Sequence, residues 1–531
     1  LGKLIVSDEI SKMPDGQMDR RTFVQGVASL AAAGTLATVT SARAQTPSPV
    51  QVGLGQAVPF DHAWLLRQAQ QLSTQPYKDP ASTLPDALGD LSYDQYRDIR
   101  FKPEARIWAG DNLPFELDLF HEGFMFKNRV EISLVEKGMA QTIQYSPNLF
   151  TFGPSVKQPT DTQNLAFSGF RVRSQINNPN VWDEFLVFQG ASYMRAVGKN
   201  QTYGLSSRGL ALKTAEPEGE EFPAFTHFWI ERPAGNSPVL VIHALLDSPS
   251  TTGAYRFSVR PGDETNVDVE AAIYPRSALN SFGMAPLTSM FLFDDTYRAS
   301  FDDYRTAVHD SDGLQMQTGA GEWLWRPLAN PAELQISAFQ DVSPRGFGLM
   351  QRSRRFQDYE DLEARYERRP SLWVEPIGDW AEGRVELVEI PTQMEIHDNI
   401  VAYWRPNNPV GAGGPFTFSY RTRWLNTVNP PPELMTVAAT RAGLTIDGKR
   451  RIFQIDFAGK NAASPQGVSI DVTTSVGKIL NPVLQSNPYD QTLRVSFELD
   501  NDNKPLAELR VRLMADNKAI SETWLYRWTK R

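Results

Sequence analysis

The chain has 531 residues, 41% hydrophobic and 22% charged, with a formal net charge of -9, no cysteine and six histidines. The acidic balance removes the basic footprint that nucleic-acid binding requires, and the absence of cysteine excludes thiol chemistry, disulfides and a lipoprotein anchor. The histidines, at 62, 121, 227, 243, 309 and 397, show no metal-ligand spacing, so neither a metal nor another cofactor is expected.

The first readable element is an export signal. Arg20 and Arg21 stand just ahead of Phe23 and a mildly apolar Ala/Gly/Thr run, and the small residues Ala42 and Ala44 then sit where a signal peptidase would cut. Gly26, Gly34 and four threonines within Thr22 to Thr40 make that run too weakly apolar to span a bilayer. Residues 1–44 are therefore read as an N-terminal extension, with Met18 as the expected start, and a twin-arginine signal that delivers a folded protein to the bacterial periplasm. A remaining length of about 490 residues exceeds what one hydrophobic core usually serves and predicts two domains.

Helical patterning is sparse beyond the signal. It is confined to Asp61 to Leu72, Tyr93 to Ile99, and Tyr359 to Tyr366, where Leu362 and Tyr366 would share a face. Short segments of period-two alternation dominate instead, separated by Gly, Pro, Asn and Asp clusters. They include Phe115 to Leu119, Val130 to Val135, Val239 to Leu245, Tyr255 to Val259, Val267 to Ala271, Val385 to Ile390, Phe416 to Tyr420, Phe453 to Phe457, Leu493 to Phe497 and Leu509 to Leu513. In the last of these, Leu509, Val511 and Leu513 face inward and Arg510 and Arg512 outward. The pattern predicts an all-β protein of stacked sheets. Pro430-Pro431-Pro432 cannot join a ladder and reads as a stiff linker, which divides a large β-sandwich at 45–428 from an immunoglobulin-like sandwich at 429–531.

With thiols and metals set aside, carboxylates are the available acid/base groups, and breaking a glycosidic bond requires two of them. Three passages collect acids with aromatic and basic partners. They are His309-Asp310-Ser311-Asp312, followed by Trp323; Tyr366-Glu367-Arg368-Arg369 through Trp373; and Glu395-Ile396-His397-Asp398. Aromatic faces stack on the C–H surfaces of sugars while Arg, Asp and Glu take the hydroxyls. The same residues read equally as Asx-turns, core tryptophans and an Arg369 paired with Glu363 or Glu367, so the residues alone leave both readings open.

These passages belong to a longer series running in order along the chain. It includes Leu91-Ser92-Tyr93-Asp94-Gln95-Tyr96, Gly190-Ala191-Ser192-Tyr193, Glu221-Phe222-Pro223, Leu287-Thr288-Ser289-Met290 and His309-Asp310-Ser311-Asp312. Gly346-Phe347-Gly348-Leu349, Arg369-Pro370-Ser371-Leu372-Trp373, Asp398-Asn399-Ile400 and Ser521-Glu522-Thr523-Trp524 complete it. Through them the chain resembles the periplasmic glucan biosynthesis proteins of types G and D, and through the arginine pair and Asp312 it looks closer to the D type. The resemblance implies a galactose-mutarotase-like N-terminal β-sandwich followed by an immunoglobulin-like one. It implies an inverting enzyme that hydrolyses linear β-1,2-glucan or transfers it onto a glucan hydroxyl, in some cases giving cyclic products. By motif, Asp310 and Asp398 become the catalytic pair, with Asp398 as acid, its pKa raised by burial beside Glu395, and Asp310 as base, reached through Tyr366 or water. Tyr366, Glu395, Arg369, Trp373, Trp323, His309 and Asp312 become the substrate-binding set. A non-catalytic glucan-binding protein working with a membrane glucosyltransferase is the alternative, and a homodimer is left open.

Overall fold

The computed structural model describes residues 52–79, 84–460, 462 and 464–530. The signal reading at 1–44 lies outside them. Strands dominate, and the protein is an all-β sandwich fold. The ten alternating segments named above all fall on strands, and the two N-terminal helices form as read: His62–Ser73, capped by the Asp61 side chain, and Tyr93–Arg97, closed by a capping box between Ser92 and Gln95. No helix among the described residues is long and apolar enough to cross a membrane.

The chain divides into two compact units. One comprises the described residues up to Ala285 with Asn408–Arg421; the other comprises Pro286–Asn407 with the described residues from Thr422 onward.

In the first unit, the strands Glu131–Glu136, Ala224–Glu231, Leu240–Asp247, Thr251–Arg260 and Thr265–Pro275 lie side by side, with Glu131–Glu136 and Ala224–Glu231 parallel and the rest antiparallel. A second sheet runs Tyr193–Ala196, Asp183–Gln189, Phe167–Ser174, Glu116–His121. Aromatic side chains fill the space between the sheets: Phe170 meets Phe228 at 5.0 Å and Phe188 meets Phe257 at 5.1 Å, centroid to centroid. The helix His62–Ser73 buries Leu65 and Ala69 against Trp229, Ala254 and Ala272.

A buried acid in this unit carries a pH signature. Glu122 is 3% exposed, accepts the Ala166 N–H at 2.8 Å, and is pushed up to about 7 by burial, which outweighs the opposing Ala166 bond and the Arg129 charge. A carboxyl raised from its unfolded value stabilises the fold below about pH 4.5 and loses that contribution as pH climbs through about 7. Glu122→Gln is therefore expected to raise stability at pH 8 by up to about 3 kcal/mol and to change it little at pH 4.5, read from urea unfolding at both pH values.

In the second unit, one sheet is ordered Ser371–Ile377, Gly346–Met350, Gly313–Gln317, Trp323–Pro327, Thr523–Thr529, Leu506–Ala515, Ser469–Thr474. The strands Gln335–Val342, Glu382–Glu389 and Ile400–Pro406 form a second antiparallel set. Thr436–Leu444, Arg451–Ala458, Thr492–Asp500 and Lys478–Asn487 make a four-stranded sheet. Leu509, Val511 and Leu513 are buried as expected, and Arg510 and Arg512 turn out to Asp471.

The third helix does not form. Residues 359–365 are irregular, with one 3-10 turn at Phe356–Asp358 and another at Tyr366–Arg368. Glu360 and Arg365 take left-handed φ values of 57° and 48°, and the Asp361 carboxylate accepts the Glu363 and Ala364 N–H groups, which a helix would otherwise require. Leu362 is 78% exposed and Tyr366 fully buried, the opposite of a shared face.

Candidate functional site

All of the site described here lies in the second unit. The short strand Val308–His309 pairs antiparallel with Phe291–Phe293, setting His309 opposite Phe291. The Asp310 N–H donates to the Met290 carbonyl at 2.8 Å. Asn399 is bound to the neighbouring residue. Its Oδ1 accepts the Phe291 N–H at 2.8 Å, and its Nδ2 donates to the Phe291 and Ile390 carbonyls, each at 3.0 Å. Consecutive residues, Met290 and Phe291, thus tie down both Asp310 and the residue that follows Asp398. Two distant stretches of chain converge there.

Around Asp310 a continuous polar network forms. The Arg369 guanidinium donates to the Asp310 carboxylate, lies 4.3 Å over the Tyr366 ring and sends its Nε to the Ala364 carbonyl. The Tyr366 hydroxyl donates to Glu395 at 3.2 Å. Glu395 in turn pairs with Arg305 at 2.7 Å, and Arg305 reaches Asp303 through two donors and Asp361 at 3.0 Å. Four carboxylates therefore share two guanidinium groups. Burial works against the Arg369 charge, yet Asp310, Tyr366 and Glu395 more than offset it and its pKa rises. Burial is also the main cause lifting the Tyr366 phenol well above its ordinary range; Arg369 opposes this, and Glu395 and Asp310 add to it. Tyr366 is therefore a neutral donor near pH 7.

His309 supports this network from behind. The Gln351 amide nitrogen donates to the His309 and Tyr366 carbonyls, so its oxygen must accept, and His309 Nδ1 carries the proton it accepts at 2.8 Å. Burial pushes His309 down to about 4, so the ring stays neutral and positions rather than transfers protons.

The sequence-predicted residues sort into three groups. Asp310, Arg369, Tyr366 and Glu395 are in one chain of contacts, and His309 is joined to it through Gln351. Asp398 adjoins the anchored Asn399 and is exposed, which corrects the expectation that burial beside Glu395 would keep it protonated. The Tyr366 hydroxyl bonds Glu395, and the Arg369 guanidinium bonds Asp310.

Trp323, Trp373 and Asp312 are placed elsewhere. Trp323 and Trp373 are 7% and 2% exposed, stack on each other at 5.9 Å, and share a hydrophobic core with Phe453, Phe497 and Trp524. A Cβ on Gly346 would come within 2.3 Å of the Trp373 ring, so the Gly-Phe-Gly strand is shaped to receive that indole. Asp312 accepts the Arg352 and Ser353 N–H groups at 2.9 and 3.1 Å, and Arg352 is itself clamped by buried Glu522. These contacts make it an anchor for the 352–353 turn.

Five contributors escaped the sequence reading: Arg305, Asp303, Asp361, Gln351 and Asn399. Only Asn399, inside the Asp-Asn-Ile motif, carried a local signal. A further support is Asn330, whose side chain bonds the Leu292 and Thr392 carbonyls and accepts the Thr392 N–H, while Thr392 holds Met394 and His397 in the loop bearing Glu395 and Asp398.

A family model described as "Periplasmic glucan biosynthesis protein, MdoG" matches residues 60–528. Glucans biosynthesis protein G of Vibrio cholerae serotype O1 (strain ATCC 39541 / Classical Ogawa 395 / O395) is 51% identical over 473 residues, 88% of this chain and 87% of the relative. The protein of the same description from Shewanella sp. (strain MR-7) is 50% identical over 495 residues, 92% of this chain and 90% of the relative. That from Shewanella frigidimarina (strain NCIMB 400) is 51% identical over 473 residues, 88% and 85%. These relatives carry the G designation, which replaces the expected leaning toward the D type.

Proposed function

Because the chain belongs to the periplasmic glucan biosynthesis protein family, we propose that it is an inverting β-1,2-glucan hydrolase or transglycosylase whose chemistry runs between Asp310 and Asp398. The coarser statement follows from membership itself: this is a periplasmic protein with a role in glucan synthesis. Twin-arginine export, a glucan polymer as substrate, a membrane glucosyltransferase as upstream partner, a homodimer and an immunoglobulin-like 429–531 domain belong to the proposal.

The observation that carries the reading is the anchoring of Asp310 and the Asp398–Asn399 corner on the consecutive residues Met290 and Phe291. The two acids differ sharply in setting. Asp310 is 5% exposed and bonded to a guanidinium, which holds a carboxylate ionised and suits a base. Asp398 is exposed and able to meet a leaving glycosidic oxygen, which suits the acid of the pair. The proton removed from the attacking water or sugar hydroxyl reaches Asp310 through a hydroxyl relay, because the carboxylate itself is nearly enclosed. Inverting pairs usually stand about 6.5–9.5 Å apart, leaving room for the attacking group.

That enclosure of Asp310 favours a second reading, a glucan-binding protein that changes no bond. Incubating the protein with linear β-1,2-glucan and following product size and anomeric form separates the two. Shorter or cyclic products of inverted configuration are expected; an unchanged polymer that still binds would leave the receptor reading.

A further inference from the structure

Three exposed apolar residues each adjoin, in sequence, a member of the Arg305 network. Tyr304 precedes Arg305 and is 75% exposed, Leu362 follows Asp361 and is 78% exposed, and Met394 precedes Glu395 and is 46% exposed. A single exposed apolar residue needs no explanation. Here three of them sit on segments that one guanidinium ties together at Asp361 and Glu395.

Tyr304 is the member with chemistry of its own. The Arg305 guanidinium carbon lies 6.0 Å from the centroid of its ring, while Nε and Nη2 of the same guanidinium grip Asp303 and Nη1 pairs with Glu395. The ring therefore stands beside the carboxylate network, within cation–π reach of Arg305, and most of its surface remains open. An aromatic plane beside carboxylates and guanidinium groups matches a pyranose ring, which offers an apolar C–H face and equatorial hydroxyls.

Resting on the glucan reading above, we infer that Tyr304 is a stacking platform for a glucosyl unit of the bound polymer at the edge of the site. Its hydroxyl is not required. The ring is.

The test uses the full chain in native affinity electrophoresis through gels containing linear β-1,2-glucan, with wild type, Asp398→Asn, and Tyr304 variants in both backgrounds. Tyr304→Ala is expected to weaken glucan retardation by about five- to tenfold in apparent Kd, and Tyr304→Phe and Tyr304→Trp to stay within about twofold of their parent. An exposed side chain should leave the unfolding midpoint unmoved, which checks that the alanine variant is folded. Parent proteins that bind while Tyr304→Ala binds equally well would overturn this inference and spare the glucan reading. Failure of both parents to bind the polymer would overturn both.

Discussion

Asp310→Asn and Asp398→Asn are each expected to lower turnover of linear β-1,2-glucan by about 10²–10⁴-fold, the range in which positioned acids and bases contribute. Asparagine preserves shape in both places while removing the negative charge and the ability to exchange a proton. At 310 the amide oxygen still offers Arg369 an acceptor, and the backbone bond to Met290 is untouched. At 398 the side chain is exposed, so the substitution carries no burial cost. Both variants should therefore unfold within a few degrees of wild type while losing product formation. The measurement is release of reducing ends or cyclic products, paired with a thermal unfolding curve. Near-normal turnover in both would transfer the site to the receptor reading, in which the same groups hold sugar without reacting.

Particular residues show why the strands were legible in the chain and part of the site was not. Alternation such as Leu509-Arg510-Val511-Arg512-Leu513 is dictated by a sheet with one buried face, and a local pattern suffices to read it. The failed helix at 359–366 has the same spacing logic but a local competitor. Asp361 satisfies two N–H groups with its own carboxylate, and two left-handed residues bracket the turn.

At the site, Asp310, Tyr366, Arg369 and Glu395 stood in motifs, whereas Arg305 lies in an acidic run with no signature. Its role arises only when Asp303, Asp361 and Glu395 meet it in space. The tryptophans misled for a physical reason. Trp373 looks like a sugar platform in sequence, but the glycines at 346 and 348 open a slot that draws its ring into the core, while the solitary Tyr304 on a loop passes unnoticed.

Arg369→Met is expected to produce the largest loss of stability at the site, about 3–5 kcal/mol, because it leaves the Asp310 carboxylate buried without its counter-charge. Three further contacts go with it: the guanidinium over the Tyr366 ring, the bond to the Ala364 carbonyl, and the electrostatic offset to Glu395. The double variant Asp310→Asn/Arg369→Met removes the stranded charge and should recover most of that loss, since a paired deletion costs far less than breaking one half. Turnover should not recover, because the base is absent. Urea unfolding of the four proteins closes a double-mutant cycle, for which a coupling of about 2–3 kcal/mol is expected. A coupling near zero would mean that the two side chains do not act as a pair in solution; Asp310 would then lack the partner that keeps it ionised, and its assignment as the base would fail with it. Stability recovered without turnover would instead separate what Arg369 does for the fold from what Asp310 does for the reaction.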